Sequence, residues 1–237
     1  MTKLLYQEDS YLKEALGVIM DIQDRSIVLD QTIFHPRTGG LECDHGYIIS
    51  NGKTYRVINV SIDKSSQKVI HELDSCEGLS PGSIVKQVLD WDRRYRMMKL
   101  HTSAHIISAI MYNKFNALAT GGNITPEYAY SDFNLSIYEK TIFENVIEEA
   151  NRVVKSGLEV KIYWLPREEA LSIPGAVKLA SRLPPELPVL RIVEIPGVDI
   201  QVDGGPHVKN TAEIGEIILV KTENKGKFKK RIYFTIK

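Results

Sequence analysis

The chain has 237 residues, 43% of them hydrophobic, enough to bury one large core or two modest ones. Thirty Lys and Arg balance thirty Asp and Glu, so overall charge points to no nucleic-acid partner, and no apolar run approaches the ~20 residues needed to span a bilayer. Two cysteines, Cys43 and Cys76, exclude a disulfide framework and fit a reducing cytosol, and the polar stretch from Met1 to Asp9 is no secretory signal, so a cytoplasmic location is expected.

Up to about residue 90, short β-rich runs alternate with turn signals. Residues 17–20, 26–29, 45–49, 54–60 and 68–73 read as strands. Asn51-Gly52 between two of them marks a hairpin, because both positions tolerate the positive φ of a type I′ turn. Residues 77–82 are turn material leading to one more strand at 83–88. Several short strands at this spacing predict a small β-barrel or sandwich over residues 1–90.

After residue 90 the period changes. Residues 91–115 read as one helix, with Leu100, Ala104, Ile107 and Met111 as its inward stripe. A second helix is expected from about Thr141, where Thr141 and Glu144 fit a capping box, to a stop at Gly157. Its apolar positions are Ile142, Val146, Ala150, Val153 and Val154. A strand at 159–164, a short helix opened by Pro166, and strands at 191–195, 212–220 and 231–236 follow. Residues 91–237 are therefore predicted to be α+β, with helices packed on a mainly antiparallel sheet.

Two histidine motifs about a hundred residues apart carry the chemistry. His101 and His105, at i and i+4 on the first helix, share one face with Cβ atoms roughly 5–6 Å apart, a good separation for one metal ion. Asp203 and His207 flank Gly204, Gly205 and Pro206, where the glycine pair lets the backbone bend tightly. His101, His105, Asp203 and His207 together make a full tetrahedral set for Zn2+. One pair lies on a helix and the other on a glycine loop, so only tertiary folding can bring them together. Arg93, Arg94, Arg96 and Lys99 precede the first motif. Lys225, Lys227, Lys229, Lys230 and Arg231 crowd the far end, and either cluster suits phosphates or a solvated face. Cys43 and Cys76 fall in no ligand motif and read as packing residues.

These motifs, with the stretches at 91–101, 132–135 and 199–215, resemble the AlaX family of alanyl-tRNA editing proteins and the editing domain of alanyl-tRNA synthetase, where HxxxH is followed much later by CGGTH. Residues 29–40 resemble the family's glycine-rich stretch FYPxSGGQ. Nearly the whole chain is covered, and the glycine-rich front domain resembles the medium-length members. The resemblance implies a trans-editing deacylase that hydrolyses the ester joining serine, and also glycine, to alanine tRNA. It implies mischarged tRNA as partner, Zn2+ as cofactor, catalysis at the four ligands, and recognition of serine by Thr32. Backbone amides of Gly39, Gly40, Gly204 and Gly205 are placed to receive an oxyanion, and Asp132 to bind the substrate α-amino group.

The chain departs from the family pattern at four places. Asp203 stands where the family has cysteine, a hard oxygen in place of a soft thiolate. Pro206 replaces threonine, His35 replaces tyrosine and reads more readily as a residue outside the site than as a member of it, and Leu41 replaces glutamine. Four protein ligands close a tetrahedron. Either the metal gains a fifth ligand or Asp203 loosens to admit substrate, or the metal shapes the pocket and an oriented water attacks. An editor of the threonyl type and a non-catalytic zinc-stabilised RNA-binding module are the rival readings. The chain is too short for a whole synthetase.

Overall fold

The computed structural model describes residues 1–63, 65–174 and 186–237. The chain divides into two compact units, Met1–Met97 and Met98–Lys237. Among the described residues no helix is long and apolar enough to cross a membrane.

The first unit opens with β1 (Lys3–Leu4) and one helical turn, α1 (Leu5–Glu8), then β2 (Glu14–Gln23), β3 (Ser26–Leu29) and β4 (Gln31–Thr32). After these come β5 (Gly46–Ser50), β6 (Lys53–Asp63), β7 (Lys68–Leu73) and β8 (Ile84–Leu89). Six of them close the expected barrel in the antiparallel order β2-β3-β7-β6-β5-β8, while β4 pairs in parallel with β1. Alternation drives the closure, since one side of each strand is apolar and must be covered. Ile19, Ile27, Leu29, Ile48, Val57, Val69, Leu73 and Val85 from the six strands fill the interior and are at most 1% exposed. Asn51 and Gly52, at φ 50° and 76°, turn the chain between β5 and β6 as the dipeptide predicts.

Among the described residues, the charged pair Arg94 and Asp44 lies fully inside this unit. The Arg94 guanidinium forms a two-pronged ion pair with Asp44, one prong being Nε to Oδ1 at 2.9 Å, and also donates to the carbonyls of Ser10 at 3.0 Å and Ile33 at 2.6 Å. Asp44 additionally accepts from the His35 amide. Each of these bonds spans many residues of chain, so one side chain fastens several loops of the unit. His71 on β7 is also buried, with Nδ1 3.4 Å from the Ile27 carbonyl and Nε2 2.8 Å from the Thr32 hydroxyl.

The helix α2 (Trp91–Phe115) has the bounds the period predicts, while the division into units falls after Met97, within the helix, where the change of period suggests residue 90. It is buried almost all round between Met97 and Met111, including Met98, Thr102, Ser103, Ile106 and Ala109, whereas Ala104 of the expected stripe is only half-buried. An all-round apolar helix belongs inside a core. The second unit continues through β9 (Ala119–Ile124), β10 (Ala129–Phe133), α3 (Lys140–Lys155), β11 (Lys161–Pro166) and α4 (Arg167–Ser172). It ends with β12 (Val189–Ile195), β13 (Asp199–Val202), a 3-10 turn at Thr211–Ile214, β14 (Ile217–Asn224) and β15 (Lys230–Ile236).

The mixed α+β architecture holds, but the strands form two antiparallel sheets, β14-β15-β10-β9 and β11-β12-β13, where the periodicity suggests one. Strands β9 and β10 escape the sequence reading because Gly121, Gly122, Ser131 and Asp132 carry little β propensity, and β13 because it is only four residues long; ladder bonding to neighbours decides them. The capping box at Thr141 and Glu144 does not form: α3 starts one residue earlier, behind Glu139, with no side-chain cap. Pro166 ends β11 and precedes α4 instead of opening it. The strand expected from Ala212 begins at Ile217. Asn210 and Glu213 form a capping box on the intervening 3-10 turn, and Gly215, at φ 86°, ends that turn.

Removing one partner of a buried ion pair strands the other charge, so Arg94→Leu is expected to cost about 3–5 kcal/mol, read by urea unfolding. The double variant with Asp44→Leu recovers much of that loss; equal losses in single and double variants would refute the pair's role. Burial also pushes His71 down to about 4, against the rise its Ile27 bond gives. Below pH 6.5 the unfolded chain takes up a proton that the native barrel refuses until the pH nears 4. This contribution is therefore complete above pH 6.5 and is lost as the pH falls to 4, by about 3 kcal/mol in all. His71→Gln should flatten that part of the stability–pH curve.

Candidate metal centre

His101 and His105 stand one turn apart on α2, and the loop after β13 carries Asp203, Gly204, Gly205, Pro206 and His207. The Arg191 Nη1 on β12 donates to the carbonyls of Asp203 at 2.9 Å and Gly205 at 3.0 Å, which pins the loop. The Gly205 amide donates to Asp203 Oδ2 at 2.7 Å. Asp203, His101, His105 and His207 thus converge, with their ligating atoms all within 4.8 Å of one another.

The outer bonds fix each ring's tautomer. His101 Nδ1 lies 3.3 Å from the Pro206 carbonyl, which can only accept, so the ring donates there. His105 Nδ1 lies 3.0 Å from the buried Asp199 carboxylate, again an acceptor. His207 Nδ1 lies 3.0 Å from the Thr102 hydroxyl, whose own proton goes to the Met98 carbonyl at 3.0 Å. The third ring is therefore also the donor. All three imidazoles carry their proton on Nδ1 and turn a bare Nε2 inward.

Those Nε2 atoms of His101, His105 and His207 lie 3.6, 4.0 and 3.1 Å from Asp203 carboxylate oxygens. Around tetrahedral zinc, with bonds of about 2.0–2.1 Å, adjacent ligand atoms sit about 3.4 Å apart. Lone pairs facing a carboxylate at such range repel unless a cation stands between them. The donor set of three neutral nitrogens and one oxygen therefore fits a divalent transition ion. Burial holds the His101 imidazole down at about 4, against the pull of Asp203. Burial and then the charge of His101 put His207 well below the ordinary range. Burial alone would raise the Asp203 carboxyl, but the pull of His101, His207 and His105 when protonated puts it well below its usual range. The resting charge states are those a metal needs. The Asp203 side chain is 22% exposed against 12%, 7% and 0% for His101, His105 and His207, which makes it the most exposed of the four.

The other sequence-predicted residues are placed differently. Gly204 and Gly205 flank Asp203, with the Gly205 amide engaged by its carboxylate. Asp132 lies on β10 outside the four-ligand group, bound by Arg231 at 2.6 and 2.8 Å and by Lys229 at 3.1 Å. Thr32, Gly39 and Gly40 belong to the first unit. The Thr32 hydroxyl is buried between His71 and the Phe34 amide, and Gly39 and Gly40 take φ values of 64° and 87°. His35 is buried edge-on to Tyr6 in the same unit, and Leu41 is buried there too. Thr102, Arg191, Asp199 and Gln201, which donates to Asp199 at 2.9 Å, escaped the sequence reading. The only signal was indirect: a ligating histidine needs a partner for its second nitrogen.

The profile described as threonyl and alanyl tRNA synthetase second additional domain matches residues 190–233, and that of class II (A) tRNA synthetases matches residues 6–93. The alanyl-tRNA editing protein AlaX-M of Saccharolobus solfataricus is 51% identical over 238 residues, covering all of both chains. Its namesake in Methanosarcina barkeri is 36% identical, covering 100% of this chain and 99% of its own. The alanine-tRNA ligase of Staphylothermus marinus is 36% identical over 94% of this chain and 24% of its own.

Asp199→Ala removes the carboxylate that orients His105 and is expected to weaken the affinity of the cluster for a divalent transition ion about 10–100-fold. Competition with a chromophoric chelator measures it, and an unchanged affinity would mean that α2 alone holds the ring in place.

Proposed function

The chain belongs to the AlaX-M family of alanyl-tRNA editing proteins, and from that premise we propose that a zinc ion held by His101, His105, Asp203 and His207 serves the removal of serine, and of glycine, from alanine tRNA. The protein is an aminoacyl-tRNA deacylase acting in trans on mischarged alanine tRNA. The observation that carries the metal-dependent reading is the convergence of three inward Nε2 atoms on one carboxylate, from segments a hundred residues apart. The full-length relatives are alanyl editors, which sets the threonyl alternative aside.

Zinc, when bound, supplies Lewis acidity toward an ester carbonyl or a water molecule. The chain's residues do the rest. Asp199, Thr102 and the Pro206 carbonyl fix the tautomer of the three rings and aim them. Asp203 is the most exposed ligand, and its oxygen lies 3.9 Å from Arg191 Nη1, a cation toward which the carboxylate can turn to admit substrate. The Asp in place of the family's Cys makes such loosening easier, because a carboxylate binds zinc less tightly than a thiolate. Substrate contacts at Thr32, Gly39, Gly40 and Asp132 rest on the family motif alone.

The need for the reaction is physical. A pocket shaped for alanine rejects serine by only about 10², whereas a site that hydrogen-bonds the hydroxyl rejects alanine by about 10⁴–10⁵. The cytoplasm, where tRNA is charged, is the location this reading assigns.

Ser-tRNA(Ala) and Gly-tRNA(Ala) should be hydrolysed while Ala-tRNA(Ala) is spared by about 10²-fold or more in deacylation assays. His105→Ala should lose zinc and hydrolysis together. Hydrolysis that outlives the metal would remove zinc from the reaction, and cleavage of Ser-tRNA(Thr) alone would sink the alanine assignment.

A further inference from the structure

The sheet β14-β15-β10-β9 has two unlike faces. On one side α3 packs against β14, and Ile232, Phe234 and Ala129 of the sheet are fully buried. On the other, the strand registers set Lys221 opposite Tyr233, Tyr233 opposite Tyr130 and Tyr130 opposite Asn123, so these side chains form one row. Two residues along each strand, Glu223, Arg231 and Asp132 form a second row on the same face. The Tyr130 and Tyr233 rings stand 5.5 Å apart, with Tyr128 6.0 Å from Tyr233. The Arg231 guanidinium sits 3.7 Å over Tyr130, and the Lys221 ammonium 4.4 Å over Tyr233. Tyr128 is 41% exposed and borders an open groove of about 500 Å³ with Tyr233, Lys221 and Thr235. Past the end of β14, Lys227 and the exposed Phe228 extend the same aromatic and cationic character.

The carboxylates here, Glu127 at the groove, Asp132 and Glu223, are outnumbered by Lys221, Lys225, Lys227, Lys229 and Arg231. Asp132 is bound by both Arg231 and Lys229, and Glu223 by both Lys221 and Lys225. Lys221 and Lys225 keep Glu223 ionised, pushed down to about 2, so each of these two carboxylates cancels only one of its two cations. None of these residues is a ligand of the four-residue centre, whose Asp203 and His207 follow the other sheet. Exposed rings flanked by surplus cations suit a nucleic-acid strand, whose bases stack on π faces while its phosphates take up the charge. A lipid surface would call for a contiguous aliphatic patch, and an acidic peptide has no use for the rings.

We propose that this face docks an unpaired stretch of the tRNA substrate other than its esterified end, with a base on Tyr128 and Tyr233 and phosphates at Lys221 and Lys227. The identity of the RNA rests on the deacylase reading; the stacking surface does not.

Full-length zinc-loaded protein and two surface variants, Tyr128→Ala and the double variant Lys221→Glu with Lys227→Glu, test it with uncharged alanine tRNA. The charge variant should bind about tenfold more weakly, and its plot of log affinity against log salt should flatten by about 1–2. Tyr128→Ala should bind about fivefold or more weakly with the salt slope unchanged. In both, KM for Ser-tRNA(Ala) rises while kcat holds. Unchanged tRNA affinity in both variants would overturn the proposal, and so would a loss confined to the charge variant, which marks a bare electrostatic contact. Displacement of tRNA by polyaspartate at equal charge, as effective as displacement by tRNA itself, would reassign the face to an acidic protein. Wild-type protein that binds tRNA through these residues yet hydrolyses none of the mischarged forms would overturn the deacylase reading and uphold the face.

Discussion

Three bare imidazole nitrogens and a carboxylate face one another across less than 5 Å, and the second unit is organised to keep them there. Left to themselves these groups would separate or trade protons, since like-signed lone pairs gain nothing by proximity. Outward bonds prevent it. Each ring has its Nδ1 proton committed to a fixed acceptor, from Pro206, Asp199 or Thr102, and Arg191 ties the Asp203 loop to β12. The interior of the cluster is thereby held short of one positive charge, which is a description of a metal site in terms of its ligands alone.

This requirement accounts for features that periodicity leaves unexplained. α2 buries nearly its whole circumference although two histidines, a threonine and a serine interrupt it, because each polar group has an acceptor within reach. Buried polar groups are tolerable only when satisfied. Asp199 is buried at the start of β13 on the same ground, held between His105 and Gln201. The barrel unit solves a similar problem at Arg94, where one guanidinium reconciles a carboxylate and two carbonyls that would otherwise be stranded. Both units place charge inside and surround it with bonds that leave little freedom.

The aspartate at position 203 bears on chemistry as well as affinity. A thiolate would close the tetrahedron with a strong soft bond, whereas a carboxylate offers a second oxygen, accepts the Gly205 amide and stays partly exposed. The same loop therefore carries both a member of the cluster and its most exposed side chain. The His207 ring on that loop has no exposed surface.

Much of this was legible in the sequence. Alternating apolar runs specified the barrel strands, Asn51-Gly52 their tightest turn, and the i, i+4 histidines their shared helical face, because each signal is local and rests on backbone geometry alone. The four residues that converge, His101, His105, Asp203 and His207, were likewise readable from residue type and motif. What the sequence left open was set by contacts between distant segments. Glycine-bearing β9 becomes a strand only because β10 offers it a ladder, and the strands fall into two sheets where periodicity suggested one. Tertiary structure also decided which side chains orient the rings, that Asp132 faces Arg231 and Lys229, and that Thr32 is bonded to His71. Hydrogen-bond partners are chosen by proximity in space, and residues such as 105 and 199 acquire that proximity only when the chain has folded.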